Sequence, residues 1–241
     1  VIAQVADTAS GGPRAMGPAL AAMRSALAAT TSVDGPRIVV LTSGIDHPAY
    51  VDHSFLATQL GFNIVEGPDL VVREAQLWLQ TLGGLDRVDV VHRRIAGRHL
   101  DPLEVNTSGA AGIPAVLLAD EAGTVTMANA HGTGVLEEAS LVGEWDRAGA
   151  ALLGQTPMLA LRSPRSMPVG ATNVDALLPA PAERVECLLS GAVHAQPIAV
   201  RFHAVATDHG ITVFPGGSGR LLADVDDPTI PTLAHVKDVW V

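Results

Sequence analysis

Residues 37–65 read RIVVLTSGIDHPAYVDHSFLATQLGFNIV, and the fold turns on them. Arg37 leads into Ile38-Val-Val-Leu41, an unbroken apolar run rich in β-branched side chains, as in a strand buried on both faces. Thr42-Ser-Gly44 follows as a turn. Pro48 suits a first helical turn and Gly61 a helix stop, which predicts a helix over Pro48–Leu60. Asn63-Ile-Val65 is the next strand. Strand, glycine turn, helix and strand make one βαβ unit with a parallel sheet.

Working outward, Met16, Leu20, Met23 and Leu27 stand at helical spacing within Pro13–Ala29 and predict an amphipathic helix. Val1–Gly12 is a short apolar stretch ending in a turn signal. Downstream, Leu70–Arg73 and Gln76–Thr81 predict an antiparallel pair. Val88–Val91 predicts a buried strand running into His92-Arg-Arg94. Asp101–Gly112 reads as a loop and Pro114–Asp120 as a helix. Thr124–Met127 reads as a strand that enters Asn129-Ala-His-Gly-Thr-Gly134, with a helix expected over Leu136–Leu153. Thr156–Pro181 holds five prolines and little periodicity. Glu183 and Cys187 stand one turn apart on an expected helix. Ile198–Ala206 and Ile211–Phe214 flank Thr207-Asp-His-Gly210, a hairpin turn. Pro215–Gly219 reads as a glycine-rich loop, and Leu221–Ala223 and Val239–Val241 as closing strands. The sequence reading is therefore α/β, with Rossmann-like βαβ character over residues 36–100 and a β-rich end.

Composition narrows the function. Of 241 residues, 48% are hydrophobic but only 3% aromatic, so the core is aliphatic. A formal net charge of −10 argues against wrapping nucleic acid or binding an anionic membrane. No apolar run approaches the ~18 residues of a spanning helix, and no secretory leader pattern is present. Cys187 is the single cysteine, which rules out an intrachain disulfide and leads us to expect a cytoplasmic setting. Lys237 is the single lysine among 15 Lys and Arg residues, a bias that codon usage suffices to explain.

A series of motifs adds a resemblance. Leu41-Thr-Ser-Gly44 is followed by His47-Pro-Ala-Tyr50 and Asp52-His-Ser-Phe-Leu56. Then come Val65-Glu-Gly-Pro-Asp-Leu70, Thr81-Leu-Gly-Gly84 and Val88-Asp-Val-Val-His-Arg-Arg94. Asp101-Pro-Leu-Glu104, Gly112-Ile-Pro114 and Asn129-Ala-His-Gly-Thr-Gly-Val135 continue the series. Phe214-Pro-Gly-Gly217 with Arg220, and Lys237-Asp-Val-Trp240, close it. In this order they resemble the circularly permuted ATP-grasp proteins. The resemblance implies a Rossmann-like pre-ATP-grasp domain over 36–100. It implies an N-terminal ATP-grasp fragment with the amphipathic helix over 1–35. A permuted ATP-grasp portion would fill 101–241, shortened between about 156 and 197. It also implies a bacterial-type, ATP-dependent carboxylate–amine ligase using ATP and Mg²⁺ on a small-molecule or peptide substrate.

The site residues follow from that match, each beside a plainer reading. Asn129, Gly132, Thr133 and Gly134 are expected to approach a nucleotide, since glycines after a strand let backbone N–H groups meet an anion; a tight strand-to-helix turn is the plain alternative. Gly216 and Gly217, with Arg220, suit a phosphate cradle or a hairpin loop. Lys237 would meet a phosphate or acyl phosphate as a point charge, or be a surface pair with Asp238. Arg94 is expected in the catalytic set. Arg93 and Arg201 are expected to bind an anionic substrate, against solvated strand-end arginines. Asp101 and Glu104 would meet a substrate amine or metal, against an acidic helix start. The nine histidines, His47, His53, His203 and His209 among them, are read as structural or surface groups for want of metal-ligand spacing.

The sequence departs from the family pattern in places. The Glu-x-Asn metal element would fall at Ala3 and Val5, neither of which ligates Mg²⁺, so the metal ligands stay unassigned. Ala96-Gly97 replace acidic residues, and Glu137-Glu138 is followed by Ala139 where relatives carry Lys. A subset of a larger chain, a truncation, and a non-catalytic homologue serving as a binding or regulatory subunit with a protein partner all fit these departures.

Overall fold

The computed structural model describes residues 16–104, 112–137, 144–154, 184–189, 192–207, 210–221 and 236–240. The positions Ala3, Val5, Glu138 and Ala139 and the proline-rich stretch lie outside them. The chain divides into two compact units. One comprises Gly17–Gly134 with Val205–Thr212; the other comprises Val1–Met16, Val135–Ala204 and Val213–Val241.

The first unit is built on a parallel sheet. Its strands are β1 (Ile38–Leu41), β2 (Asn63–Val65), β6 (Val90–Arg93) and β7 (Thr126–Ala128), in the order β2-β1-β6-β7. Val40 pairs with Ile64 on one side and His92 on the other, and His92 with Ala128. Both faces are covered, which is why β1 reads as an unbroken apolar run: Val39, Val40 and Leu41 are fully buried. Burial of such a side chain contributes roughly 1.5–3 kcal/mol relative to exposure.

Helices α1 (Gly17–Ala28) and α2 (Tyr50–Leu60) cover one face. Leu27 and Leu60 meet Ile38 and Val90 there, with Met23, Leu56 and Phe62 packed around them. α2 stops where expected, at Gly61, whose φ of 70° frees its N–H for the carbonyls of Ala57 and Thr58. The opposite face sends Val39, Leu41, Val91 and Met127 into a second layer. That layer is a three-stranded antiparallel sheet of β3 (Leu70–Arg73), β4 (Gln76–Thr81) and β5 (Gly84–Arg87), joined by α3 (Val116–Glu121).

α3 is held at its start by the chain before it. The Asp101 carboxylate, fully buried, accepts N–H bonds from Leu103, Ala115 and Leu117 at 3.0–3.1 Å. Ile113 N–H donates to the Leu100 carbonyl at 2.8 Å. Gly112 lies against this backbone so closely that a Cβ would stand 2.3 Å from the His99 carbonyl oxygen.

The structure departs from the sequence expectations at five places. β5 is a third strand with a single apolar residue, Leu85; it forms because the tight Thr81–Gly84 turn folds the chain back, braced by Thr81 Oγ1 on the Gly84 carbonyl. β6 begins at Val90, since Val88 N–H bonds Leu77 O and Asp89 bonds Arg37. The helix expected over 136–153 appears as a 3₁₀ turn, Thr133–Glu137, and α4 (Trp145–Leu153), with 138–143 outside the described residues. Residues 184–189 form β8 (Arg184–Leu189), not a helix: Arg-Val-Glu-Cys alternates polar and apolar, and that period of two prevails. The glycine-rich 215–219 lies within β10 (Gly210–Leu221), not a loop.

β10 completes a second sheet with β9 (Ala192–Thr207) and β11 (Val236–Trp240), in the order β11-β10-β9-β8. The ladder to β11 sets Gly216 opposite Trp240 and Gly219 opposite Lys237. Backbone pairing satisfies those groups without any need for side chains, which is how a glycine run persists as strand. Among the described residues no helix is long and apolar enough to cross a membrane.

Candidate functional site

In an open parallel sheet, chain connections diverge where the strand order reverses, and the carboxyl edge there forms a natural crevice. Here the reversal falls between β1 and β6: β1 leads outward to β2, and β6 leads the other way to β7. The chain leaves this edge through Thr42 after β1, Glu66 after β2, Arg94 after β6 and Asn129 after β7.

Around the switch point lies a group of polar side chains beneath the start of α2. Thr42 and His53 are both buried, and a 2.9 Å hydrogen bond joins Thr42 Oγ1 to His53 Nδ1. His47 stacks on His53 with ring centroids 5.5 Å apart, and its Nδ1 accepts the Ala49 N–H. His92 is buried, and neither of its ring nitrogens has a hydrogen-bond partner. Burial, then the charge of Arg94, then His53, push its pKa down to about 4, so the ring is neutral. Burial, Arg94 and His47 likewise lower His53, against a smaller opposing pull from Asp52. Arg94 itself is exposed, with its N–H tied to the Leu41 carbonyl.

Gly44 explains the turn after β1. Its φ is 99°, in the region glycine favours, and a Cβ there would meet the Glu66 carboxylate at 2.9 Å. Glu66 also takes part in a reciprocal cap with Asp69. The edge thus carries a cation at β6 and a carboxylate at β2, with the histidines between.

The turn after β7 is held differently. Arg93 is buried, and its guanidinium reaches backward into the turn. Nε donates to the Asn129 carbonyl at 2.7 Å, Nη1 to Ile95 O at 2.6 Å, and Nη2 to Ala130 O at 3.0 Å and Thr133 Oγ1 at 3.3 Å. Asn129, at φ 65°, returns a bond from Nδ2 to the Arg93 carbonyl at 3.0 Å. Gly132, at φ 86°, and Gly134 are exposed, and a Cβ at either would meet open space.

The expected site residues are therefore distributed. Arg94 stands at the switch point. Asn129, Gly132, Thr133 and Gly134 form an exposed turn at the same sheet edge. Arg93 grips that turn instead of pointing to solvent, and Asp101 caps the chain into α3. Glu104 is exposed. Gly216, Gly217, Arg220 and Lys237 share one stretch of the β10–β11 ladder, where Arg220 faces Val236 across the strands, and Arg201 lies on β9. His53 and His92, read from the sequence as structural or surface groups, sit at the switch point itself. The signal for His53 was its spacing from Ala57 and Leu60, which places it on the buried face of α2. Among the described residues no group of three or more His, Cys, Asp or Glu side chains is placed to hold a metal ion.

Comparison with known proteins gives the lineage. The chain is similar to the uncharacterized protein Rv2567 of Mycobacterium tuberculosis, at 32% identity over 277 aligned residues, covering 95% of this chain and 31% of that protein. It is similar to the uncharacterized protein sll0335 of Synechocystis, 46% identical over 103 residues, 43% of this chain and 21% of the relative. The uncharacterized protein Rv2411c of M. tuberculosis is 42% identical over 116 residues, 48% and 21% of the two chains. The chain thus spans less than a third of the length of these relatives. A family model described as circularly permuted ATP-grasp type 2 matches residues 6–167. That match covers more than half of the chain, and the chain belongs to the circularly permuted ATP-grasp type 2 family.

Proposed function

We propose that the chain forms part of an ATP-dependent carboxylate–amine ligase acting on a peptide or amino-acid-like substrate. The observation that carries this reading is the carboxyl edge of the parallel sheet, where an exposed glycine turn and an exposed arginine flank one switch point in an ATP-grasp chain. In this reaction the γ-phosphoryl group of ATP passes to a carboxylate oxygen, giving an acyl phosphate and ADP. An amine nitrogen then attacks the acyl carbon, an amide bond forms, and inorganic phosphate leaves with the C–O electron pair while the amine loses a proton.

The chain's own residues take these parts. Asn129, Gly132, Thr133 and Gly134 offer backbone to the nucleotide in a turn that Arg93 fixes. Gly216, Gly217, Arg220 and Lys237 meet phosphate oxygens, and Arg94 counters the anionic charge of the substrate. Arg201 and Glu104 remain substrate contacts. Arg93 and Asp101 act as positioning residues, since backbone groups occupy them. The exposed, unobstructed Gly132 turn fits a nucleotide. Among the described residues no group of three or more His, Cys, Asp or Glu side chains is placed to hold a metal ion, and no step is assigned to Mg²⁺.

A second reading is a non-catalytic homologue acting as a binding or regulatory subunit, motivated by Ala3, Val5 and Ala96-Gly97 at positions where the family pattern carries metal ligands and acidic residues. Thermal unfolding with and without Mg·ATP separates the two. A ligand bound to the folded state alone stabilises it by about 2.7 kcal/mol at 100 times its Kd. A rise in Tm that needs ATP and is lost in Lys237→Ala or Arg220→Ala supports the ligase; no shift at saturating ATP rejects it.

A further inference from the structure

We propose that the corner joining β1 to α2 is an acid-opened hinge: protonation of the imidazoles beneath the first turn of α2 frees that turn and the loop before it, while the last turn stays seated. α2 lies on the sheet in two halves of different chemistry. Its second half is aliphatic. Leu56 and Leu60 join Leu27, Ile38 and Val90 there, and the Phe62 N–H bonds the Ala57 carbonyl at 2.9 Å. Its first half rests on imidazole. His53 is the buried residue of the first turn, bonded to Thr42 and stacked on His47. His92 follows Val90 by two residues on β6, which sets its side chain on the α2 side of the sheet.

The start of the helix is held by rings that hold it only when neutral. Ala49, at the N-cap, supplies no side-chain cap. Its N–H is instead accepted by His47 Nδ1 at 3.1 Å, and a proton on that nitrogen removes the acceptor. Protons on both stacked rings set like charges 5.5 Å apart at the positive end of a helix. His92 has no acceptor for an added proton, so its cation cannot stay buried without loss.

The surrounding charges do not rescue these cations. Arg94 opposes a proton on His53 and on His92, and Asp52, which favours one on His53, is the smallest influence there. Asp46 is exposed in the loop, and Glu66 lies against Gly44. Arg24, the charged residue of α1, bonds the Leu60 carbonyl at the other end of α2. Once open, the rings return toward 6.5, so the open corner binds protons more readily than the closed one. The closed form is therefore fully favoured above that value and weakens as pH falls toward the buried His92 value of about 4. Gly44 belongs to this corner and rests against Glu66, so opening it dismantles the carboxyl edge. The hinge is a property of the fold and does not rest on the ligase reading.

Hydrogen exchange of the full chain, followed by NMR at pH 7 and pH 5 with intrinsic rates divided out, tests it without nucleotide. The amides of Ala49, Tyr50 and His53 report the first turn, and those of Gly61 and Phe62 the last. Titration of His92 alone should lower first-turn protection by about twentyfold between the two conditions. Low urea leaves local opening unchanged and speeds whole-unit unfolding, so first-turn exchange at pH 5 should not respond to it. The last turn should remain the better protected. His92→Phe should remove most of the fall; if that variant does not fold, His92→Gln serves as the non-titrating ring replacement. His47→Asn, whose Oδ1 accepts the Ala49 N–H without titrating, should keep more first-turn protection at pH 5 than the parent. No fall, a fall of the same size in these variants, or first-turn exchange that rises with urea as whole-unit unfolding does overturns the hinge.

Discussion

The turns after β1 and β7 leave the same edge of one sheet, and they are held in opposite ways. After β7, one guanidinium gathers the carbonyls of Asn129, Ile95 and Ala130 and leaves the glycines open. After β1, Thr42 bonds the His53 ring, while His92 on the neighbouring strand β6 has no partner for either nitrogen. The first turn is framed by its own bonds; beside the second stand two buried ring nitrogens without partners. Arg93, the last residue of β6, and Arg94, the first beyond it, stand on these two sides.

The largest expected effect tests the frame. Arg93→Ala removes several charge-assisted bonds and leaves carbonyls without them, and should lower stability by about 3–4 kcal/mol in urea unfolding. Arg93→Lys should recover little, because an ammonium does not reproduce the fork. A loss below about 1 kcal/mol would mean that the β7 turn holds itself.

Acid tests the His92 side of the edge. The folded-state pKa of His92 lies near 4, against 6.5 for a free ring. Between those values the unfolded chain binds the proton more readily, so stability falls as pH drops through that window, by roughly 2–3 kcal/mol. Denaturant titrations at pH 7 and pH 4 check this, and His92→Phe should flatten the difference. An unchanged slope in that variant would assign the effect to other groups.

The glycines sharpen the contrast at smaller scale. Gly44→Ala should cost about 2 kcal/mol, since it strains a left-handed residue and displaces the Glu66 carboxylate. Gly132→Ala should cost about 1 kcal/mol, from conformation alone. Matching midpoints for the two variants would show that Glu66 does not rest on Gly44.

Much of this architecture was legible in the sequence because burial leaves a pattern. The apolar run at Ile38–Leu41 announced a strand covered on both sides, and Gly61 marked the end of α2. The alternation in residues 184–189 was present too, but a one-turn spacing of Glu183 and Cys187 masked it. What the sequence concealed are the contacts that join distant segments. Nothing near Arg93 says that its partners lie at Asn129 and Ala130. Asp101 reads as a loop acid until α3 is seen fifteen residues later. His92 continues the strand's inward alternation after Val90, yet a histidine there looks the same whether its ring is satisfied or not. The same reason governs the site: strand ends can be placed from the pattern, while the match between donors and acceptors is three-dimensional.

The cross-bracing around Asp101 has a consequence for how such a chain can change. The bonds from Asp101 to residues 103, 115 and 117, and the seating of Gly112 on His99, hold the two flanks of residues 105–111 together. A connection whose ends are already joined resists extra length weakly, with each doubling adding only about 0.6 kcal/mol of closure entropy. Descendants of this chain are therefore free to lengthen, shorten or decorate that connection, while Gly112 and Asp101 must stay as they are.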